Sequence, residues 1–259
     1  MPPKPPLTHF LCIPLVTTKS RAQLSASLAA FKADVTSADS FGVPEGAVRP
    51  LGTLHLTLGV MSFPQTDDGR KGLGEAVGLL RGLRMGLKKA DAEAETEGVR
   101  ERTETEGVRE ETETKGKEGE REEGSEGMSV TLKGLRSMQQ PSKSSILYAP
   151  PEDPERKLYD FCTGILARFR DKGLVVEDSR PLLLHATVLN TVYVKVRDRG
   201  GGRGRRDKLT VDARGILERY EDCVWAEGIS VDKVAICRMG AKTGDDGEVA
   251  YEVEAEVDV

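Results

Sequence analysis

Leu54-His55-Leu56-Thr57-Leu58 and Leu184-His185-Ala186-Thr187-Val188 are two short apolar runs of one design, about half the chain apart. Each places a histidine two residues before a threonine. The chain has 3 histidines, and two of them stand in this arrangement. Along a β-strand side chains alternate faces, so residues two apart share a face. His55 and Thr57 therefore point one way, as do His185 and Thr187, while Leu54, Leu56 and Leu58 point into a core. Two imidazoles and two hydroxyls brought together make an acid–base pair flanked by hydrogen-bond donors. That set suits phosphoryl or acyl chemistry without a metal.

Around these runs the sequence alternates between strand and helix signals. His9–Val16 reads as a buried strand, and Ser20–Val35 as a helix with Ser20 as N-cap and Leu24, Leu28 and Phe31 at helical spacing. Residues 72–89 carry leucines at helical spacing, weakened by several glycines. Residues 129–135 and 144–149 read as strands, 151–172 as a helix closed by Gly173, and 182–196 as the second motif strand. Residues 212–220 read as a short helix, with 229–238 and 249–257 as strands. Trp225 is placed in the core on a turn between helix and strand. The last strand alternates valine with acidic residues, as an exposed edge does. This order predicts an α+β fold, two-lobed and pseudo-symmetric, with antiparallel sheets lining a central cleft and helices outside. Arg49-Pro50-Leu51 and Arg180-Pro181-Leu182 precede the two motifs at nearly the same distance, which is weak support for duplication.

Composition bounds the rest. The 259 residues are 37% apolar and 31% charged, a balance that fits an ordered core plus a solvated insert. Residues 90–127 are that insert. They are dominated by Glu, Thr, Gly, Lys and Arg, and Thr96-Glu97-Gly98-Val99-Arg100-Glu101 recurs at 105–110. Such a segment cannot bury enough apolar area to offset its ordering entropy, so a disordered acidic insertion is expected within one domain spanning 7–259. The net charge of −5 gives no reason to expect nucleic-acid coating by bulk charge. Cys12, Cys162, Cys223 and Cys237 contain no C-x-x-C pair and read as reduced thiols, not a zinc site. No apolar run approaches bilayer length, and the proline-rich start is no signal peptide.

These residues resemble the 2H phosphoesterase superfamily, and within it the A-kinase-anchoring-protein-seven-like phosphoesterase domain. The resemblance rests on Thr8-His9-Phe10-Leu11-Cys12-Ile13-Pro14-Leu15, on Leu54 through Gly59, on Leu184 through Thr191, and on Phe169 through Leu174. It implies a metal-independent phosphoesterase acting on RNA ends or 2′,3′-cyclic phosphates. His55 and His185 would be acid and base, in an order left open, and Thr57 and Thr187 would bind phosphate oxygens. It also implies a second possibility, a non-catalytic RNA- or nucleotide-binding subunit of a transcription-coactivator or DNA alkylation-repair assembly of the activating signal cointegrator type. Residence in nucleus or cytoplasm follows from the resemblance alone. In such assemblies the domain follows a KH module. This chain starts directly at its first strand, so recruitment of RNA by a KH module is not expected.

Further contacts to substrate are read from residue type. Phe10, Tyr148 and Tyr193 are strand aromatics suited to stacking on a base, with core packing as the competing reading. Arg203 and Arg205 lie in a glycine-rich basic stretch, 195–208, that would steer an RNA backbone if it lies at the cleft mouth. That stretch contains no P-loop, and no cofactor is expected. His9 would complete a three-histidine metal set, but the threonines already account for the motifs, so no metal is expected and His9 is placed near the surface at a strand start. The expected state is a monomer that does not engage membrane.

Overall fold

The two motif runs form the middle of one antiparallel sheet. A computed structural model describes residues 6–83, 127–194 and 209–259. The seven-stranded sheet has the order β12 (Val253–Asp258), β9 (Lys233–Arg238), β1 (His9–Pro14), β2 (His55–Met61), β7 (Ala186–Asn190), β5 (Ile146–Ala149) and β4 (Arg136–Ser137). A second sheet has the order β6 (Pro151–Glu152), β3 (Ser129–Lys133), β8 (Val224–Ser230), and β10 (Lys242–Thr243) pairs with β11 (Val249–Ala250). The helices are α1 (Arg21–Thr36), α2 over residues 67–83, α3 (Lys157–Asp171) and the short α4 (Arg214–Arg219).

The fold is α+β, and its halves mirror each other about the β2–β7 seam. β1 reaches its antiparallel neighbour β2 through α1, and β5 reaches its neighbour β7 through α3. The motifs thus lie side by side in one sheet. The seam is narrow: Leu56 stands opposite Ala186. Both are completely buried, together with Leu54, Leu58, Leu184 and Val188 in the main core. β1 is buried on both faces. Leu11 and Ile13 enter the main core, while Phe10 and Cys12 pack with Ala235 and Cys237 on the opposite face.

The helices cover the core through the stripes their spacing encodes. α1 buries Leu24, Leu28, Phe31 and Val35, and α3 buries Leu158, Cys162, Ile165, Leu166 and Phe169. Ser20 does not cap α1; its hydroxyl bonds back to the Leu15 carbonyl at 2.6 Å and accepts from the Thr17 amide at 2.8 Å. α3 begins later than the sequence predicts. Pro151–Glu152 pairs with β3, and the Asp153 carboxylate takes the first-turn amides of Leu158 and Tyr159. Gly173, at φ +66°, turns the chain out of α3 as expected. α2 starts at 67 instead of 72, and the glycines up to residue 83 do not break it; 84–89 of the expected helix lie outside the described residues.

Two further readings need correction. The strand expected over 229–238 is broken at Val231 and Asp232, which separate β8 from β9, and Trp225 lies inside β8. Of the strand expected over 182–196, the described residues form strand only over Ala186–Asn190, with a 3₁₀ turn at Thr191–Tyr193, and 195–196 lie outside them. Of the acidic insertion, 90–126 lie outside the described residues. β12 is an edge strand, as its alternation implied. Among the described residues no helix is long and apolar enough to cross a membrane.

Phe31, fully buried, meets the edges of Tyr220 and Trp225 at 5.0 and 5.1 Å and ties α1 to β8. Truncating it leaves a cavity that rigid strands cannot fill. Phe31→Ala is expected to cost about 3–5 kcal/mol, read as a lower urea midpoint at unchanged slope.

Candidate active site

Because Leu56 and Ala186 oppose each other pointing inward, the residues flanking them all project from the other face. The antiparallel register brings His55 toward Thr187 and Thr57 toward His185. The sheet thus presents two histidines and two threonines as a square around a local two-fold. The floor of the cleft is polar for the same reason that the core beneath it is apolar.

Each imidazole is fixed from below in the same way. His55 Nδ1 lies 2.8 Å from the Thr53 carbonyl, and His185 Nδ1 lies 2.7 Å from the Leu183 carbonyl. A carbonyl only accepts, so both Nδ1 atoms carry the proton and both Nε2 atoms are bare. The two histidines then differ. Thr57 donates its hydroxyl to His55 Nε2 at 3.0 Å. Among the described residues His185 Nε2 has no such partner. Burial pushes His55 down to about 4, aided by the positive charges of His185 and Arg49 and opposed by the bond to Thr53. Burial also lowers His185, opposed by its bond to Leu183. Both rings are neutral at pH 7 in the free protein.

Two cavities meet at Thr57 and Val60. One, of about 310 Å³, is lined by His55, Thr187, Arg49, Asn190, Tyr193 and Tyr251 among others. The other, of about 670 Å³, is mostly apolar and carries His185 with Leu58, Met138, Leu166, Val175 and Leu183.

The sequence-predicted residues divide accordingly. His55, Thr57, His185 and Thr187 converge. Phe10 is buried, with its ring 4.7 Å from His55 and 4.9 Å from Tyr251. Tyr148 is also buried, edge-on to His185 at 5.4 Å, so it supports that imidazole and presents no free face to a base. Tyr193 is half exposed on the rim. Arg203 and Arg205 lie outside the described residues. His9 is buried, 6% exposed, and not near the surface. It bonds Thr8 at 2.8 Å and faces Glu254 at 3.6 Å. No group of three metal-ligating side chains forms among the described residues.

Sequence reasoning missed Arg49 and Tyr251. Arg49 is buried, its amide bonded across the seam to the Val188 carbonyl at 2.9 Å. Tyr251 comes from a stretch read as plain edge strand. It arrives because Gly52 lets β11 approach closely: a Cβ there would lie 2.8 Å from the Val249 carbonyl oxygen. The Tyr251 ring packs edge-on to His55 at 5.3 Å, and burial pushes its hydroxyl up to about 12. The repeated Arg-Pro-Leu was the available signal for Arg49.

The family model described as the AKAP7 2′5′ RNA ligase-like domain matches residues 7–259. The chain belongs to that family. This bears out the 2H phosphoesterase relationship read from the two motifs. An uncharacterised protein of Schizosaccharomyces pombe is 30% identical over 135 residues, covering 52% of this chain and 59% of that one. Mouse activating signal cointegrator 1 complex subunit 1 is 30% identical over 101 residues, 38% of this chain and 28% of that protein. The chain thus spans only part of the length of the curated relatives it matches. Solved structures similar to the chain include Escherichia coli LigT complexed with 3′-AMP (TM-score 0.47, 15% identity, 98% of each chain) and TT0787 of Thermus thermophilus (TM-score 0.48, 13% identity, 97% of each).

The lowered His55 carries a sign for stability. Its folded value of about 4 lies below its ordinary 6.5, so the unfolded chain binds the extra proton between these values. Stability is complete above pH 6.5 and is lost as pH falls toward 4. Thermal melts should show this slope for wild type and a shallower one for His55→Gln, and the His55 Cε1–H resonance should titrate near 4.

Proposed function

We propose that this chain is a phosphodiesterase that works by paired-histidine acid–base catalysis on RNA-type phosphodiesters, including RNA ends and 2′,3′-cyclic phosphates. The observation that carries the reading is the pair of bare Nε2 atoms on one sheet face, flanked by two threonine hydroxyls. Membership of the family supports it.

Unequal surroundings assign the roles. Burial first, and then the positive charges of His185 and Arg49, keep His55 neutral, and it is the base. It takes the proton of the attacking hydroxyl, a neighbouring 2′-hydroxyl or water, which replaces Thr57 on Nε2. Thr57 then turns its hydroxyl to a non-bridging phosphate oxygen, as Thr187 does from the other side, where charge develops. His185 is the more readily protonated ring, and the incoming phosphate favours that proton. It passes the proton to the leaving oxygen. In hydrolysis of a cyclic product the roles reverse.

Similarity to the mouse cointegrator subunit supports a second reading, in which the same cleft recognises RNA within an assembly without turnover. Nuclear or cytoplasmic residence is part of that proposal.

Short RNAs ending in a 3′-hydroxyl or a 2′,3′-cyclic phosphate, incubated in chelator, decide between the two. Turnover is expected, with His55→Ala and His185→Ala each about 10²–10⁴-fold slower and Thr57→Val or Thr187→Val about 10–100-fold slower. An unchanged rate in the double-alanine variant would sink catalysis by this pair. Tight RNA binding without product would move the assignment to the recognition reading. The kcat/KM profile should be bell-shaped, its acid limb near pH 4 from His55 and its alkaline limb below 6.5 from His185.

A further inference from the structure

The repeated Arg-Pro-Leu puts one guanidinium in each half of the cleft, and the two meet different fates. Arg180 is exposed and held by Asp178, with Nε at 3.0 Å and Nη2 at 2.6 Å from the carboxylate oxygens. Arg49 is 7% exposed and has no carboxylate partner among the described residues. Its contacts are the Tyr251 hydroxyl at 3.3 Å and the Tyr193 ring, whose centroid is 3.8 Å from Cζ. A guanidinium held this far from water without a counter-ion is costly, and one that also lines a cavity is placed to take an anion.

The reacting phosphate is not the obvious anion. It must touch both imidazoles, which places it at the junction of the cavities near Thr57. Arg49 lines the cavity that holds His55, whereas His185 lines the other, so Arg49 lies on the His55 side of the junction. The cavity on that flank, about 310 Å³, has room beyond a single phosphate group. Arg presents a planar fork that matches two phosphate oxygens, and here Tyr193 stacks on one face, Nη2 reaches the Tyr251 hydroxyl, and the residue lines the cavity.

We propose that Arg49 binds a second phosphate of the substrate, the one next to the reacting phosphate on the His55 side. On the opposite flank the two described guanidiniums, Arg170 and Arg180, are both exposed and share Asp178, which binds Arg180 directly, so neither is a buried, unpaired reader like Arg49. The substrate class is then a nucleotide or oligonucleotide that carries a further phosphate on its His55-side nucleoside. This rests on the phosphodiesterase reading for its chemistry, but its test needs no turnover.

Calorimetry with the full chain compares adenosine 3′,5′-bisphosphate with adenosine 3′-monophosphate and 5′-monophosphate. The bisphosphate should bind about ten- to a hundredfold more tightly than either monophosphate. Arg49→Gln should abolish that advantage, Arg49→Lys should keep part of it, and Arg180→Gln should retain it. Equal wild-type affinities would overturn the proposal without any variant being needed. So would an advantage that survives Arg49→Gln, or a loss in Arg49→Gln shared equally by all three ligands, which would assign Arg49 to the reacting phosphate. Absence of RNA turnover together with a bisphosphate advantage would refute the esterase reading and leave this site standing. Turnover without the advantage would do the reverse.

Discussion

The cleft depends on one pair of apolar side chains. Leu56 and Ala186 face each other across the β2–β7 seam, both without exposure to solvent. A shift of either strand by one residue would exchange faces, putting histidine and threonine into the core and leucine into the cleft. The unpaired burial of those polar groups would cost several kcal/mol, so the hydrophobic pattern itself locks the register. Proximity of the two imidazoles is a by-product of packing two leucine-type runs against the same core.

From that seam outward, the symmetry is approximate, and its imperfections bear on the chemistry. Both imidazoles are held through Nδ1 by a carbonyl two residues back. Yet His55 packs against Phe10 and Tyr251 with a guanidinium nearby, whereas His185 leans on Tyr148 and opens into an apolar cavity. Identical local motifs acquire different proton affinities because their surroundings differ in charge and burial. An acid–base pair needs such a difference. A perfectly symmetric site would leave both rings with the same preference.

Much of this was legible in the chain. The period-two pattern gave the strand faces, the i, i+3, i+4 pattern gave α1 and α3, and the repeated His-x-Thr gave the four residues on the cleft floor. Boundaries were less legible, since they turn on partners. Pro151 and Glu152 look like the start of a helix until β3 pairs with them, and Ser20 looks like a cap until the Leu15 carbonyl claims its hydroxyl. Aromatic roles were the least legible. Phe10, Tyr148 and Tyr193 are alike as sequence, but two are buried under the histidines and one is on the rim.

The sequence by itself determined the alternation of faces, and with it which side of each motif strand is apolar and which carries histidine and threonine. It determined this because side-chain direction along a strand is a local property of the backbone. Only the tertiary structure decided what surrounds those four residues. Arg49 is an ordinary arginine before a proline until burial places it with no described carboxylate in reach, and Tyr251 is an edge-strand tyrosine until Gly52 admits β11. Burial and charge act through space between distant segments, 202 residues apart in the Arg49–Tyr251 contact, and no local pattern encodes them.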